Sequence, residues 1–113
     1  MLSQVGFDTL GWKFLGCYDV TTTSQDLQLP NAHEWLIVIG AKNNQQVYGG
    51  KSFVIPATES NRNIIQTGEL RNGGGAVVST DGVYCYISLN SVLTYQAQSV
   101  VTGNFLLMRV YYR

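Results

Sequence analysis

Charged residues are scarce in this sequence, and the two signs cancel. Seven Lys and Arg residues offset seven Asp and Glu residues, and together they form only 12% of the 113 residues, about half the usual share. The charges are scattered, so no basic stripe exists to follow a phosphate backbone, and nucleic-acid binding is not predicted. A near-zero net charge gives little electrostatic protection against association. We therefore expect a homo-oligomer.

Residue types that carry catalysis or bind metals are also few. The single histidine, His33, stands beside Glu34 but lacks the second histidine that a helical zinc motif requires. Cys17 and Cys85 lie far apart in apolar runs, which favours two buried thiols over a disulfide. No serine occupies a Gly-x-Ser-x-Gly turn, and no carboxylates pair visibly as acid and base. We expect no metal, no cofactor and no enzymatic activity.

Long apolar segments are missing as well. No stretch approaches the ~20 apolar residues of a membrane span, so membrane insertion is not predicted. The first ten residues lack the basic start of a signal peptide. We expect a protein that is made in a cytoplasm without a signal peptide.

The apolar pattern that is present predicts strands and no helix. The run 105–112 is apolar on both faces, because Phe105, Leu107 and Tyr111 alternate with Leu106 and its even-numbered successors. A strand of this kind is buried on both sides, in a core or against another chain. Further strands are predicted at 12–20, 26–29, 34–39, 51–55, 76–79, 83–89 and 92–96. Turns are predicted at 41–46, at 72–75 and, as a hairpin, at 81–82.

Seven or eight short strands, joined by turns rich in glycine and asparagine, predict an all-β fold. The expected architecture is an antiparallel β-sandwich of jelly-roll-like form, since these loops are too short for parallel crossovers. No linker or internal repeat divides the chain. We expect one domain, 1–113, with residues 1–10 as an N-terminal lead-in segment.

Two groups of residues are candidates for ligand binding. Tyr84 and Tyr86 project from the same side of one predicted strand, where exposed rings can stack on the apolar face of a sugar. Alternatively, both rings cover the other sheet of the sandwich. Loop residues rich in hydrogen-bond donors, suited to hydroxyl-rich ligands or serving as ordinary turn residues, are Asn61, Arg62, Arg71 and Asn72.

The last strand supplies the candidates for an oligomer interface. Arg109 stands among Met108, Val110 and Tyr112, and an arginine is costly to bury alone. It either pairs with a carboxylate, in this chain or in another subunit, or extends its head group to a rim. We assign these four residues to a subunit interface.

Several short segments occur in a recognisable order along the chain: 12–16 (Trp-Lys-Phe-Leu-Gly), 21–23 (Thr-Thr-Thr), 27–30, 34–39, 53–56, 72–75 (Asn-Gly-Gly-Gly) and 110–113 (Val-Tyr-Tyr-Arg). In this order they resemble the small β-sandwich domains that close tail-fibre, baseplate or minor structural proteins of bacteriophages infecting Gram-positive bacteria. The resemblance spans nearly the whole chain, although each motif alone is of low specificity.

The resemblance implies a virion tail protein without catalysis, commonly a homotrimer, that contacts a host cell-surface polysaccharide or other tail proteins. It brings no fixed binding residues. Such domains usually end a longer protein, whereas this chain begins at Met1; an excised piece or an unusually short product is expected. A stand-alone carbohydrate-binding module or lectin is an alternative, and so is a small hydrolase with dispersed catalytic residues.

Overall fold

The computed structural model describes residues 11–57 and 64–113, and within these ranges it contains strands and no helix. The predicted all-β class is therefore confirmed. The ten strands are β1 Lys13–Val20, β2 Gln25–Gln28, β3 Glu34–Asn43, β4 Gln46–Pro56, β5 Ile64–Gln66, β6 Leu70–Arg71, β7 Val77–Ser79, β8 Val83–Ile87, β9 Val92–Ala97 and β10 Leu106–Tyr112. No helix in the described part is long and apolar enough to cross a membrane.

The strands form two four-stranded antiparallel sheets and a small hairpin. Sheet A has the order β1-β10-β3-β4, sheet B has the order β2-β9-β8-β5, and β6 pairs with β7. The first strand thus pairs with the last in one sheet, and the second pairs with the ninth in the other. This nested pairing of the two chain halves is jelly-roll-like and consistent with the predicted β-sandwich.

The core lies between the two sheets and consists of alternate residues of their strands. From sheet A it takes Trp35, Ile37 and Ile39 of β3, and from sheet B it takes residues such as Val83 and Cys85. The Trp35 indole Nε1 donates to Pro30 O at 3.0 Å, which satisfies the one polar group of a ring that is otherwise surrounded by apolar side chains.

The last strand, β10, is buried on both faces as its sequence predicts, but Phe105, predicted as the first residue of the buried run, precedes the strand and is exposed. Leu106, Met108 and Val110 point into the core, and Leu107 and Tyr111 are buried on the outer face of sheet A. The assignment of Met108 and Val110 to a subunit interface is therefore wrong, because both side chains are fully enclosed by the chain's own sheets. Tyr112 also packs, partly buried, against this core.

Three local predictions are corrected. The predicted turn 41–46 is a continuation of β3 into a tight hairpin, with Asn43 paired to Gln46. The predicted hairpin turn at 81–82 joins β7 to β8, which lie in different sheets, since β7 pairs with β6. Leu89, expected to face inward, follows the end of β8 and is 66% exposed.

The β3–β4 hairpin is irregular near Gly40, Gly49 and Gly50, where the pairing register shifts between Ile39 and Ala41. A Cβ at Gly40 would lie 2.6 Å from Val47 Cγ1 and 2.7 Å from Gly50 Cα, so only a residue without a side chain fits. Beyond this irregularity the Gln45 carbonyl accepts a hydrogen bond from Arg109 Nη1 at 2.6 Å. The hairpin tip is thereby tied to the outer face of sheet A.

At the end of sheet A near residues 12, 34 and 113, Arg113 ties the chain to β3, beside a pocket of about 380 Å³ that His33 and Tyr112 help to line. The amides of His33 and Glu34 both donate to Arg113 O, and Arg113 N donates back to Glu34 O. The Arg113 guanidinium pairs with the Glu34 carboxylate and lies 4.1 Å from the centroid of the Trp12 ring. We call this the closed end of the sandwich.

Candidate functional site

At the opposite end of sheet A, two adjoining pockets form what we call the end groove. One pocket, of about 530 Å³, is bounded by residues that follow β1 and precede β10, and the other has about 420 Å³. Both volumes fall in the range of small-molecule sites, ~300–1,000 Å³. Lys42, Asn104 and Phe105 line both pockets, so the two are lobes of one groove with a shared wall.

The lobes differ in their remaining walls, which come from four separate connections of the fold. The first lobe is completed by Asp19, Val20, Thr21, Thr22, Val100 and Leu106. The second lobe is completed by Ala41, Asn43, Tyr48, Asn72, Gly73, Gly74, Val78 and Gly103. The first lobe therefore offers a carboxylate and hydroxyls, whereas the second offers amides, glycine backbone and an aromatic ring.

Phe105 is held in the groove by its backbone while its ring stays in solvent. A turn precedes it, in which Asn104 N donates to Val101 O at 3.0 Å and Gly103 takes a positive φ of 84°. The carbonyl of Phe105 then accepts a hydrogen bond from Lys42 N at 2.9 Å. The ring is 69% exposed, the highest value among the exposed large hydrophobic side chains of the described residues. An apolar side chain exposed in this way contributes little to folding and is free to contact a ligand at the pocket edge.

Lys42 of the shared wall forms an ion pair with Asp19 of the first lobe. Lys42 Nζ donates to Asp19 Oδ1 at 2.6 Å and bridges the ends of β3 and β1. A lysine ammonium has three donors and a carboxylate accepts through both oxygens. The pair therefore offers free donors and acceptors to a ligand, with no net charge.

Of the three asparagines that line the groove, Asn72 and Asn104 are each oriented by hydrogen bonds to one half of the side-chain amide. Asn72 Oδ1 accepts from Gly74 N at 2.9 Å and Ala76 N at 3.0 Å, which leaves its Nδ2 as the available donor. Asn104 Nδ2 donates to the carbonyls of Val101 and Thr102, which leaves its Oδ1 as the available acceptor. The groove thus presents one preorganised donor and one preorganised acceptor beside an apolar ring.

Such an arrangement suits a neutral, hydroxyl-rich ligand. Hydroxyl groups donate and accept at once, and the C–H groups on one face of a pyranose ring pack on an exposed aromatic ring. Among the described residues, no group of three or more His, Cys, Asp and Glu side chains is placed to hold a metal ion. Asp19, the carboxylate of the groove, is engaged by Lys42.

The sequence-predicted ligand residues are only partly brought together. Asn72 lines the second lobe, whereas the neighbouring Arg71 donates to Glu69 Oε1 at 2.8 Å and Gly75 O at 2.7 Å and so stabilises the turn. Asn61 and Arg62 lie outside the described residues.

Tyr84 and Tyr86 occupy the outer face of sheet B and do not line the groove. Tyr84 is half-buried and Tyr86 is 40% exposed, opposite Gln96 and Thr94 of β9. Neither ring covers the core, since the alternate residues of β8 do so. The pair forms a separate, flatter surface.

Sequence reasoning missed Phe105, Asn104, Lys42 and Tyr48 as site residues. A usable signal was present at Asn104, because the stretch 102–104 (Thr-Gly-Asn) is typical of a turn and an apolar residue directly after a turn need not belong to the strand. No comparable signal marks Lys42, since its place in the groove depends on the pairing of β3 with the start of β10.

The remaining residues singled out by the sequence lie elsewhere. Arg109 is on the outer face of sheet A, 4.6 Å from the Phe14 ring centroid, and it donates to Tyr111 Oη and Cys17 Sγ as well as to Gln45 O. None of these partners is a carboxylate. The two thiols form no disulfide, and burial raises the pKa of Cys85 to about 12. His33 is exposed at the closed end.

Comparisons with known proteins give no relative: no family model, no curated protein and no solved structure matches the chain. The function proposed below therefore depends on the geometry of the end groove and on the sequence features described above.

Proposed function

We propose that this chain is a non-enzymatic recognition module that binds carbohydrate in the end groove. The observation that carries the proposal is the exposed Phe105 side chain, which lies on a hydrogen-bonded backbone between two pockets that also contain an ion pair and two oriented amides. Stacking on the ring supplies apolar contact, and the surrounding donors and acceptors select hydroxyl groups by direction.

The biological setting we propose is the tail of a bacteriophage, where the module contacts a surface polysaccharide of the host cell. The support is the ordered resemblance of the sequence to tail-fibre and baseplate domains, together with a groove built from several connections at one end of sheet A. In this setting, weak single sites gain strength through several copies that engage one polymer.

Self-association is part of this proposal, with a homotrimer expected. The formal net charge is zero, so repulsion between copies is small. The outer face of sheet A also carries Phe14 and Val54, which are 50% and 53% exposed, and apolar groups of this kind are typical of an interface core. Arg109, half-buried on the same face among partners that are not carboxylates, is the one member of the predicted interface set whose side chain lies on the outer face.

The binding proposal is tested with a glycan array of bacterial surface oligosaccharides, followed by titration calorimetry with the best array ligand. We expect Phe105→Ala to weaken binding by about tenfold or more, equivalent to about 1.4 kcal/mol. Leu89→Ala is the matched control, since Leu89 is equally exposed but lies in the β8–β9 turn. A loss with Tyr86→Ala and none with Phe105→Ala would move the site to sheet B, and an array without any ligand would refute carbohydrate binding.

The tail proposal is tested by light scattering at micromolar concentration. A mass of three chains supports it, and Phe14→Glu combined with Val54→Glu should lower that mass. A stable monomer that still binds glycans would contradict the tail assignment and favour the alternative, a stand-alone carbohydrate-binding module or lectin.

A further inference from the structure

The end groove has two lobes with one shared wall, and this division bears on the length of the ligand. Lys42, Asn104 and Phe105 belong to both lobes, whereas the carboxylate of Asp19 belongs to one and Asn72 to the other. A single sugar ring stacked on Phe105 occupies one lobe only. The polar groups of the other lobe are then left to water.

We propose that the groove binds an oligosaccharide of at least two linked rings, with one ring in each lobe and the linkage passing over Phe105 and Lys42. This inference rests on the proposed function of the groove, and it adds the ligand class and the position of each ring. An internal stretch of a polysaccharide meets this requirement, whereas a free monosaccharide does not.

The hydrogen-bonding capacity of the groove is divided in the same way. Lys42 Nζ lies at the junction and spends one of its three donors on Asp19 Oδ1, so further donors can reach the oxygen that links two rings. On one side of the junction stands the second oxygen of Asp19, an acceptor. On the other side stands Asn72 Nδ2, a donor whose partner atom Oδ1 is fixed by two backbone amides.

The two sides of the groove differ in polarity. The Asp19 carboxylate accepts hydrogen bonds from hydroxyl groups of one ring, and Asn72 Nδ2 donates to oxygen atoms of the other ring. Tyr48, at the rim of the second lobe and 44% exposed, adds a second aromatic surface for that ring alone.

The experiment is a calorimetric titration with the mono-, di- and trisaccharide fragments of the best array ligand. We expect affinity to rise by about tenfold or more from the mono- to the disaccharide. The test variant is Asn72→Asp, which keeps an oxygen for the amides of Gly74 and Ala76 but removes the Nδ2 donor. It should weaken binding of the disaccharide by about tenfold and leave binding of the monosaccharide, stacked in the first lobe, unaffected.

Three outcomes separate this inference from the proposed function. Equal affinity for mono- and disaccharide, with both lost in Phe105→Ala, overturns the two-ring inference and keeps the site. A gain with length that Asn72→Asp and Tyr48→Ala leave unchanged also overturns it, because the second ring then lies outside the second lobe. Binding that is indifferent to Phe105→Ala refutes the proposed function together with the inference. Thermal melts of each variant establish that the fold is retained.

Discussion

The two ends of sheet A differ in what they do with the same strand. At the closed end, β10 is followed by Arg113, whose backbone exchanges hydrogen bonds with residues 33 and 34 and whose guanidinium lies over the Trp12 ring. At the opposite end, which holds the end groove and which we call the open end, Phe105 directly precedes β10. Its phenyl ring lies in solvent between two pockets. The closed end places apolar and charged groups where they stabilise the fold, and the open end places them where a ligand can reach them.

This difference shows that apolar character alone does not separate core residues from contact residues. Phe105 and Leu107 are both large apolar residues of the same apolar run. Phe105 is exposed, however, whereas Leu107 is buried on the outer face of sheet A. The distinction depends on the turn before the strand and on the hairpin that folds toward the outer face. Each prediction below contrasts the two ends, or the parts of β10 that join them, in order of decreasing effect.

Deleting residues 106–113 should have the largest effect, because it removes β10 from the middle of sheet A and leaves β1 and β3 without their shared neighbour. The loss exceeds the total stability of a typical domain, about 5–15 kcal/mol, so we expect no cooperative transition by circular dichroism. A truncated chain that is soluble and melts cooperatively would contradict the central place of β10 in both ends.

Trp35→Ala, at the closed end, should lower the free energy of unfolding by about 3–5 kcal/mol, since it empties a fully buried site. Phe105→Ala, at the open end, should change it by less than about 0.5 kcal/mol, the usual range for surface sites. Urea denaturation measures both. Similar losses from the two substitutions would erase the distinction between the ends.

Gly40→Ala should cost about 1–3 kcal/mol, because the added Cβ meets the backbone of Gly50 and Tyr48 at 2.7 Å and the hairpin must open. Gly73→Ala is its control in the groove wall, where the nearest atoms are at 3.9 Å, and we expect a change below about 0.5 kcal/mol. Denaturation of the two variants side by side checks this. An equal cost would show that the groove wall is as tightly packed as the base of the hairpin.

The smallest effects concern the two ion pairs. Arg113→Met at the closed end and Lys42→Met at the open end should each change stability by about 1 kcal/mol or less, since both pairs are partly exposed and screened by salt. Glycan affinity separates them, because it should fall only in Lys42→Met. Titration calorimetry measures the glycan affinity of both variants. A matching loss of affinity in Arg113→Met would place ligand contacts at the closed end as well.

More of the fold than of the candidate site could be predicted from the sequence. Alternation in β8 and the two-sided apolar pattern of β10 depend on local periodicity, and both predicted burial correctly for residues such as Cys85 and Met108. The error at Met108 and Val110 arose because a pattern that predicts burial cannot say whether the cover belongs to the same chain or to another. The nested pairing of the sheets supplies that cover.

The residues of the candidate site are brought together by pairing between strands that are distant in the sequence, which no short sequence motif predicts. Asn72 was identified from its loop chemistry, whereas Lys42 enters the groove only because the end of β3 lies beside the start of β10 and the end of β1. The reverse failure occurred at 41–46, where polar residues typical of a turn proved to extend two strands. Hydrogen bonds across the hairpin and a glycine-lined bend outweighed the weak local preference.

Carbohydrate recognition at the open end is tested most directly by an amide NMR titration with the best array oligosaccharide. We expect chemical-shift changes only in the end groove, at the amides of residues 20–22, 42, 72–74 and 103–105. The amides of the closed end should not shift. Shifts centred on Tyr84 and Tyr86, or on residues 33, 34 and 113, would contradict it.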